Sequence, residues 1–141
     1  MNTTKHLTMQ IKNSVGSLAR ITGMIRREGW NIKSLTAAPS LTHPVSRADI
    51  LVEGPESGFE RLFAKILRFD CNYDIMVSEK EITRELVLAK LEVAENLPDN
   101  TRIISQNVVE FTGTPQEVDE WLDNIRQNGV IEMSRSGLIA L

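Results

Sequence analysis

Cysteine is nearly absent from this sequence. Cys71 stands alone, so no disulfide can close within the chain, and a reducing compartment is the simplest setting. Aromatic residues make up only 5%, so a core has to be built from Leu, Ile, Val and Met. No block of Lys or Arg stands out and the formal net charge is −3, which argues against a nucleic-acid backbone as partner. No apolar run reaches the roughly 18 residues of a membrane span. Met1 to Gln10 shows neither a long apolar stretch nor a small-residue cleavage pattern, so no signal peptide is read. The expectation is a soluble cytoplasmic protein.

Catalytic equipment is equally sparse. The two histidines, His6 and His43, have no second ligand at metal spacing, and no metal site is expected. Cys71 has no adjacent histidine and reads as a partly buried structural thiol. Glu117, Asp119, Glu120 and Asp123 read as a solvated helix face, and Arg26-Arg27 as helix-surface charge. No phosphate loop, nucleophile elbow or dinucleotide fingerprint is present, so nothing assembles into a reaction centre.

What is present is pattern. Leu7, Met9 and Ile11 alternate with polar residues as in a half-buried strand, which Asn13-Ser14-Val15-Gly16 breaks. Leu18, Ile21 and Ile25 mark one helix face, ended by Gly29. A second strand runs from Asn31 to Ala38, and a third places Ala48, Ile50 and Val52 on one side. Ser57 and Glu60 suggest a capping box ahead of the stripe Phe59, Leu62, Phe63, Ile66, Leu67. Tyr73, Ile75 and Val77 form a fourth strand. The order β-α-β-β-α-β predicts a ferredoxin-like α+β domain over residues 1–80, with both helices on one sheet face.

Ser78-Glu79-Lys80-Glu81 is the expected boundary. Beyond it, strands are predicted over Leu86–Val93 and over Arg102–Thr112, the latter interrupted near Gln106-Asn107. Thr114-Pro115-Gln116-Glu117 starts a helix faced by Val118, Trp121, Leu122 and Ile125, and Val130–Met133 begins a last strand. Gly54-Pro55 and Gly113-Thr114-Pro115 sit in matching strand-turn-helix contexts about 59 residues apart. Residues 81–141 therefore read as a shortened copy of the first domain. Its stretch Ala94–Gln106, 13 residues, has no room for the first helix plus a strand. Two such thin cores would each lean on a neighbour, which predicts at least a homodimer.

One constellation points to a ligand. The turn Asn13–Gly16 joins strand one to helix one, and a glycine there lets a ligand approach the backbone. The first helical turn offers unpaired N–H groups that suit a carboxylate, and Asn13 both donates and accepts, which suits a zwitterion. A plain tight turn is the competing explanation for the same residues. A second asparagine, Asn31, opens strand two after Gly29-Trp30.

Asn13-x-x-Gly16-x-Leu18-x-Arg20-Ile21-x-Gly23, followed by Gly29-Trp30-Asn31-Ile32-x-Ser34-Leu35, resembles the signature of the acetolactate synthase small regulatory subunit, a member of the ACT-domain superfamily of amino-acid sensors. Arg47 and Arg135-Ser136-Gly137 add to the likeness. The resemblance implies that two ACT domains pair edge to edge and bind a branched-chain amino acid, chiefly valine, at their interface. Asn13, Gly16 and Leu18 of one copy and Asn31 and Ile32 of the other would form that site. It also implies a large catalytic partner that alone carries thiamine diphosphate, FAD and magnesium. A stand-alone sensor of another ligand, and a small enzyme on the same sheet, are the competing readings.

Overall fold

The computed structural model describes residues 1–41, 44–69, 72–77 and 82–141, which fall into two compact units, Met1–Lys80 and Glu81–Leu141. Three sequence features, His43, Cys71 and the Ser78–Glu81 boundary, lie outside the described residues.

In the first unit, strands β1 (Asn2–Lys12), β2 (Asn31–Pro39), β3 (Val45–Pro55) and β4 (Asn72–Val77) form an antiparallel sheet in the order β2-β3-β1-β4. Helices α1 (Ser17–Arg27) and α2 (Phe59–Leu67) join β1 to β2 and β3 to β4. This is the ferredoxin-like arrangement, with β2 and β4 as edges. Alternation sends Leu7, Met9, Ile11, Ala48, Ile50 and Val52 to one sheet face, where Ile21, Met24, Ile25, Leu62 and Ile66 of the helices cover them.

The start of α2 departs from expectation. Glu56–Gly58 forms a single 3₁₀ turn, which places Ser57 inside helical backbone, so no side-chain cap forms and the Ser57–Glu60 box is not made. The α2 stripe is also narrower than its periodicity. Phe59, Leu62 and Ile66 are buried and Phe63 packs at the margin, but Leu67 is 53% exposed. Trp30 closes this core by lying flat against Gly54, with its ring edge-on to Phe59 at 5.6 Å.

The opposite sheet face is polar, yet it contains a buried charge. Asp49, only 5% exposed, accepts a hydrogen bond from Thr8 Oγ1 at 2.9 Å. His6 Nε2 lies 3.2 Å and Arg47 Nε 3.4 Å from the same carboxylate. Burial alone would raise the Asp49 pKa, but the contacts of His6 and Thr8 and the charge of Arg47 outweigh it and hold the carboxyl below its ordinary value. Period-two spacing of His6 and Thr8 on β1, and of Arg47 and Asp49 on β3, brings the four together.

The second unit repeats the first without its first helix. Strands β5 (Thr83–Leu91), β6 (Arg102–Ser105), β7 (Val108–Gly113) and β8 (Val130–Arg135) take the order β6-β7-β5-β8, the same permutation as before. Helix α3 (Pro115–Ile125) corresponds to α2. The interruption at Gln106-Asn107 is a hairpin turn between β6 and β7. The Thr114 capping box forms as predicted: Thr114 Oγ1 accepts from the Glu117 N–H and Glu117 Oε2 accepts from the Thr114 N–H.

Where the first unit has α1, the second has only the loop over residues 92–101. That loop is fastened by side chains. Trp121 Nε1 donates to Thr101 Oγ1 at 2.8 Å, and Asn128 Nδ2 donates to the carbonyls of Val93 and Glu95 at 3.0 and 2.7 Å. Leu97 then packs on the Val87, Leu91, Val109, Trp121 cluster. A short strand not anticipated from sequence, β9 (Ile139–Ala140), pairs with the start of β5.

Two outcomes follow from this packing. A Cβ on Gly54 would lie 2.7 and 2.8 Å from Trp30 Cε3 and Cε2. Gly54→Ala should therefore cost about 1–3 kcal/mol of stability through overpacking, read by urea denaturation; an unchanged midpoint would contradict the Trp30–Gly54 contact. For Asp49, a depressed folded pKa means stability that is present at neutral pH and lost as pH falls through the folded value, below about 4. Asp49→Asn should be less stable than wild type at pH 7 and should show a shallower loss on acidification in melts taken from pH 7 to 2.5.

Candidate functional site

The Asn13–Gly16 turn sits where β1 ends and α1 begins, and its backbone is tied down on several sides. Asn13 N donates to the Pro44 carbonyl at 2.7 Å, Ser14 N to the Lys12 carbonyl at 2.9 Å, and Ser17 N to the Ser14 carbonyl at 3.2 Å. The hydroxyls of Ser14 and Ser17 lie 2.7 Å apart. Gly16 has φ +84°, a left-handed conformation that side chains with a Cβ resist, and it sets the direction in which α1 leaves the turn. With Gly16 as N-cap and no side-chain cap, the first-turn N–H groups of α1 are not satisfied by a capping side chain.

Beside this turn lies a cleft of about 210 Å³. Asn13, Ser14, Ser17 and Ser46 give it polar walls, and Ile11, Leu18, Ala37, Ala38 and Pro39 apolar ones. A polar end with open N–H groups next to a small apolar lining is chemistry suited to an aliphatic amino acid. Leu18 lines the cleft and also packs on the core. Gly16 faces the other side of the turn, toward a separate cleft.

Asn31 and Ile32 are elsewhere in the chain. Asn31 pairs with Glu53 near the far end of β3, whereas Lys12, just before the turn, pairs with Val45 at its near end. Eight residues of strand separate those positions, about 26 Å. One chain thus brings Asn13 and Leu18 to one cleft and leaves Asn31 and Ile32 at the opposite end of β2. Ser14 and Ser17 line the cleft from the turn segment that the sequence singled out, and Lys12 from the end of β1, whereas sequence reasoning missed Ala37, Ala38, Pro39 and Ser46, because their place there depends on where β2 ends against β3.

Two further residues of the resemblance have structural partners. Arg47 joins the Asp49 network. Arg135 bridges Glu85 on β5 and Asp119 on α3, the latter at 2.8 Å, and burial of Arg135 is outweighed by these two carboxylates, which raise its pKa. Ser136 Oγ accepts from the Leu86 N–H at 3.0 Å. Among the described residues no group of three His, Cys, Asp or Glu side chains is placed to hold a metal ion, and no helix is long and apolar enough to cross a membrane.

Comparison with known proteins bears on both units. Residues 7–70 match the family model of the AHAS small subunit-like ACT domain, and residues 104–141 match that of the small subunit of acetolactate synthase. The chain is 29% identical to a probable acetolactate synthase small subunit of Archaeoglobus fulgidus, covering 97% of this chain and 96% of the relative. It is 28% identical to the acetolactate synthase isozyme 3 small subunit of Salmonella typhimurium, covering 96% and 93%. The crystal structure of the acetolactate synthase small subunit from Thermotoga maritima superposes with a TM-score of 0.85 at 23% identity, over 99% of this chain and 96% of that one, and shares the fold. Matched at both ends by models of one family and along nearly its whole length by members of it, this chain belongs to the acetolactate synthase small subunits.

Proposed function

We propose that this chain is a non-catalytic regulatory subunit that binds valine, or a related branched-chain amino acid, between the ACT domains of two copies and thereby modulates a large acetolactate synthase catalytic subunit. The observation that carries the reading is that Asn31 opens the edge strand β2 while the Asn13 cleft borders the strand's other end, at Ala38 and Pro39. β2 has one open side, only one charged residue (Lys33) and a length of 9 residues, so its unpaired edge is a template for pairing with another strand.

If two β2 strands pair antiparallel about a two-fold axis near Leu35, Asn31 of one copy falls opposite Pro39 of the other, and Ile32 opposite Ala38. Pro39 and Ala38 line the Asn13 cleft. The symmetry therefore completes two sites at once, each with a polar end at the Asn13–Gly16 turn and a lid from the second copy. Regulation requires the amino acid to favour one arrangement of the assembly over another, and a site divided between copies supplies that difference in affinity. Thiamine diphosphate, FAD and magnesium belong, in this reading, to the catalytic subunit in the cytoplasm.

Calorimetric titration with valine is the first test. Asn13→Ala should weaken binding by about 1 kcal/mol or more, the scale of one lost ligand hydrogen bond. The divided site gives a sharper outcome. Asn13→Ala and Asn31→Ala chains, each defective alone, should recover about a quarter of the wild-type sites when unfolded together in equal amounts and refolded, because each mixed dimer retains one intact site. Absence of any recovery, with mixed dimers verified by mass, would place both asparagines in the same site of one chain or outside it.

A further inference from the structure

The inward row of β3 ends on a hydroxyl. Val52, Ile50 and Ala48 are fully buried in the core, and Ser46, next in that row, is only 8% exposed. In the sheet Ser46 lies between Ile11 of β1 and Pro39 of β2. All three line the cleft beside Asn13. Ser46 therefore belongs to the sheet-side wall of that cleft, while Ser17 and Leu18 bring the first turn of α1 to it.

Packing gives no reason for a serine there. A buried hydroxyl without a partner is destabilising, and an alanine would extend the apolar row without that penalty. Among the described residues the Ser46 hydroxyl has no hydrogen-bond partner. The other two serines of the cleft differ from it. Their hydroxyls, on Ser14 and Ser17, lie 2.7 Å apart and satisfy one another. Ser46 is left with an acceptor oxygen that opens on the cleft and on nothing else described.

We propose that the Ser46 hydroxyl accepts a hydrogen bond from the α-ammonium of the bound amino acid, an assignment that rests on the effector site argued above. The two charged ends of a zwitterion require opposite partners. The first-turn N–H groups of α1, which no capping side chain satisfies, suit the carboxylate and offer nothing to an ammonium. An ammonium has only donors, so it requires an acceptor, and a hydroxyl oxygen has two lone pairs. With the carboxylate at α1 and the ammonium at β3, the aliphatic side chain is left to Leu18, Ala37 and Ala38. Ser46 then makes the cleft read an amino acid rather than an aliphatic acid of the same carbon skeleton.

Titration of the full chain with valine, and with isovalerate in competition against it, separates this role from a structural one, because isovalerate is valine without its ammonium. Ser46→Ala should weaken valine binding by about tenfold, the scale of one hydrogen bond to a charged group, and leave isovalerate within about twofold. The preference for valine over isovalerate should shrink accordingly. The urea midpoint of the ligand-free Ser46→Ala chain should match or exceed that of wild type, since the change removes a buried hydroxyl with no partner in the fold. Equal losses for the two ligands, or an unchanged valine affinity, would overturn the assignment. So would a lower midpoint, which would place the hydroxyl in a bond within the fold. Failure of the wild-type chain to bind valine, leucine or isoleucine would instead overturn the amino-acid reading of the cleft, and the role of Ser46 with it.

Discussion

The pairing of β1 with β3, in unbroken register from Asn2–Pro55 to Lys12–Val45, decides where everything else in the first unit goes. With β4 on the other flank of β1, the strand's alternate residues are committed: Leu7, Met9 and Ile11 to the helices, His6 and Thr8 to the polar face. A slip of one residue would exchange the two faces, placing the Asp49 carboxylate in the apolar core and the core methyl groups in water. The same pairing delivers the Asn13 turn beside Pro44 at the near end of β3, and it leaves β2, attached only to β3, with a free edge. The cleft and the available edge are thus two results of one register.

The second unit shows what the architecture tolerates. It keeps the strand permutation and the helix between its third and fourth strands, α3, which packs on β5 and β7, and it omits the helix between its first two strands. A sheet so exposed needs cover, and the loop over residues 92–101 provides part of it with Leu97, held by Trp121 and Asn128. Each of those two side chains is a polar group in or near a core, and each spends its donors on the loop. The omitted helix is also the one whose N-terminal turn borders the cleft beside Asn13 in the first unit, so the second unit lacks the element that forms that wall.

Much of the fold was legible from local pattern. Period-two alternation gave β1 and β3, and the 3.6-residue stripe gave α1 and α2. The Thr114-Pro115-Gln116-Glu117 cap formed with both of its reciprocal bonds, because all of its partners lie within four residues. Ser57 and Glu60 carry the same spacing and formed nothing, because the chain first closes a 3₁₀ turn after Pro55, and Trp30 packing at Gly54 governs how β3 ends. The short strand β9 escaped notice for a related reason: two residues carry no periodicity, and their strand identity comes from β5, more than 50 residues away.

The sequence by itself determined the main strands and helices, their order and the missing helix of the second half, and it located the turn between β1 and α1. Those depend on torsional preferences, hydrophobic period and capping chemistry, all of which act over a few residues. Only the tertiary structure decided that Asp49 is a buried charge met by His6, Thr8 and Arg47, that Ser46 and Ala37 line the cleft, and that the Asn13 cleft and Asn31 lie toward opposite ends of the edge strand β2. These depend on strand register and sheet order, which are set by contacts between residues distant in sequence and compete on the free energy of the whole core rather than of any segment.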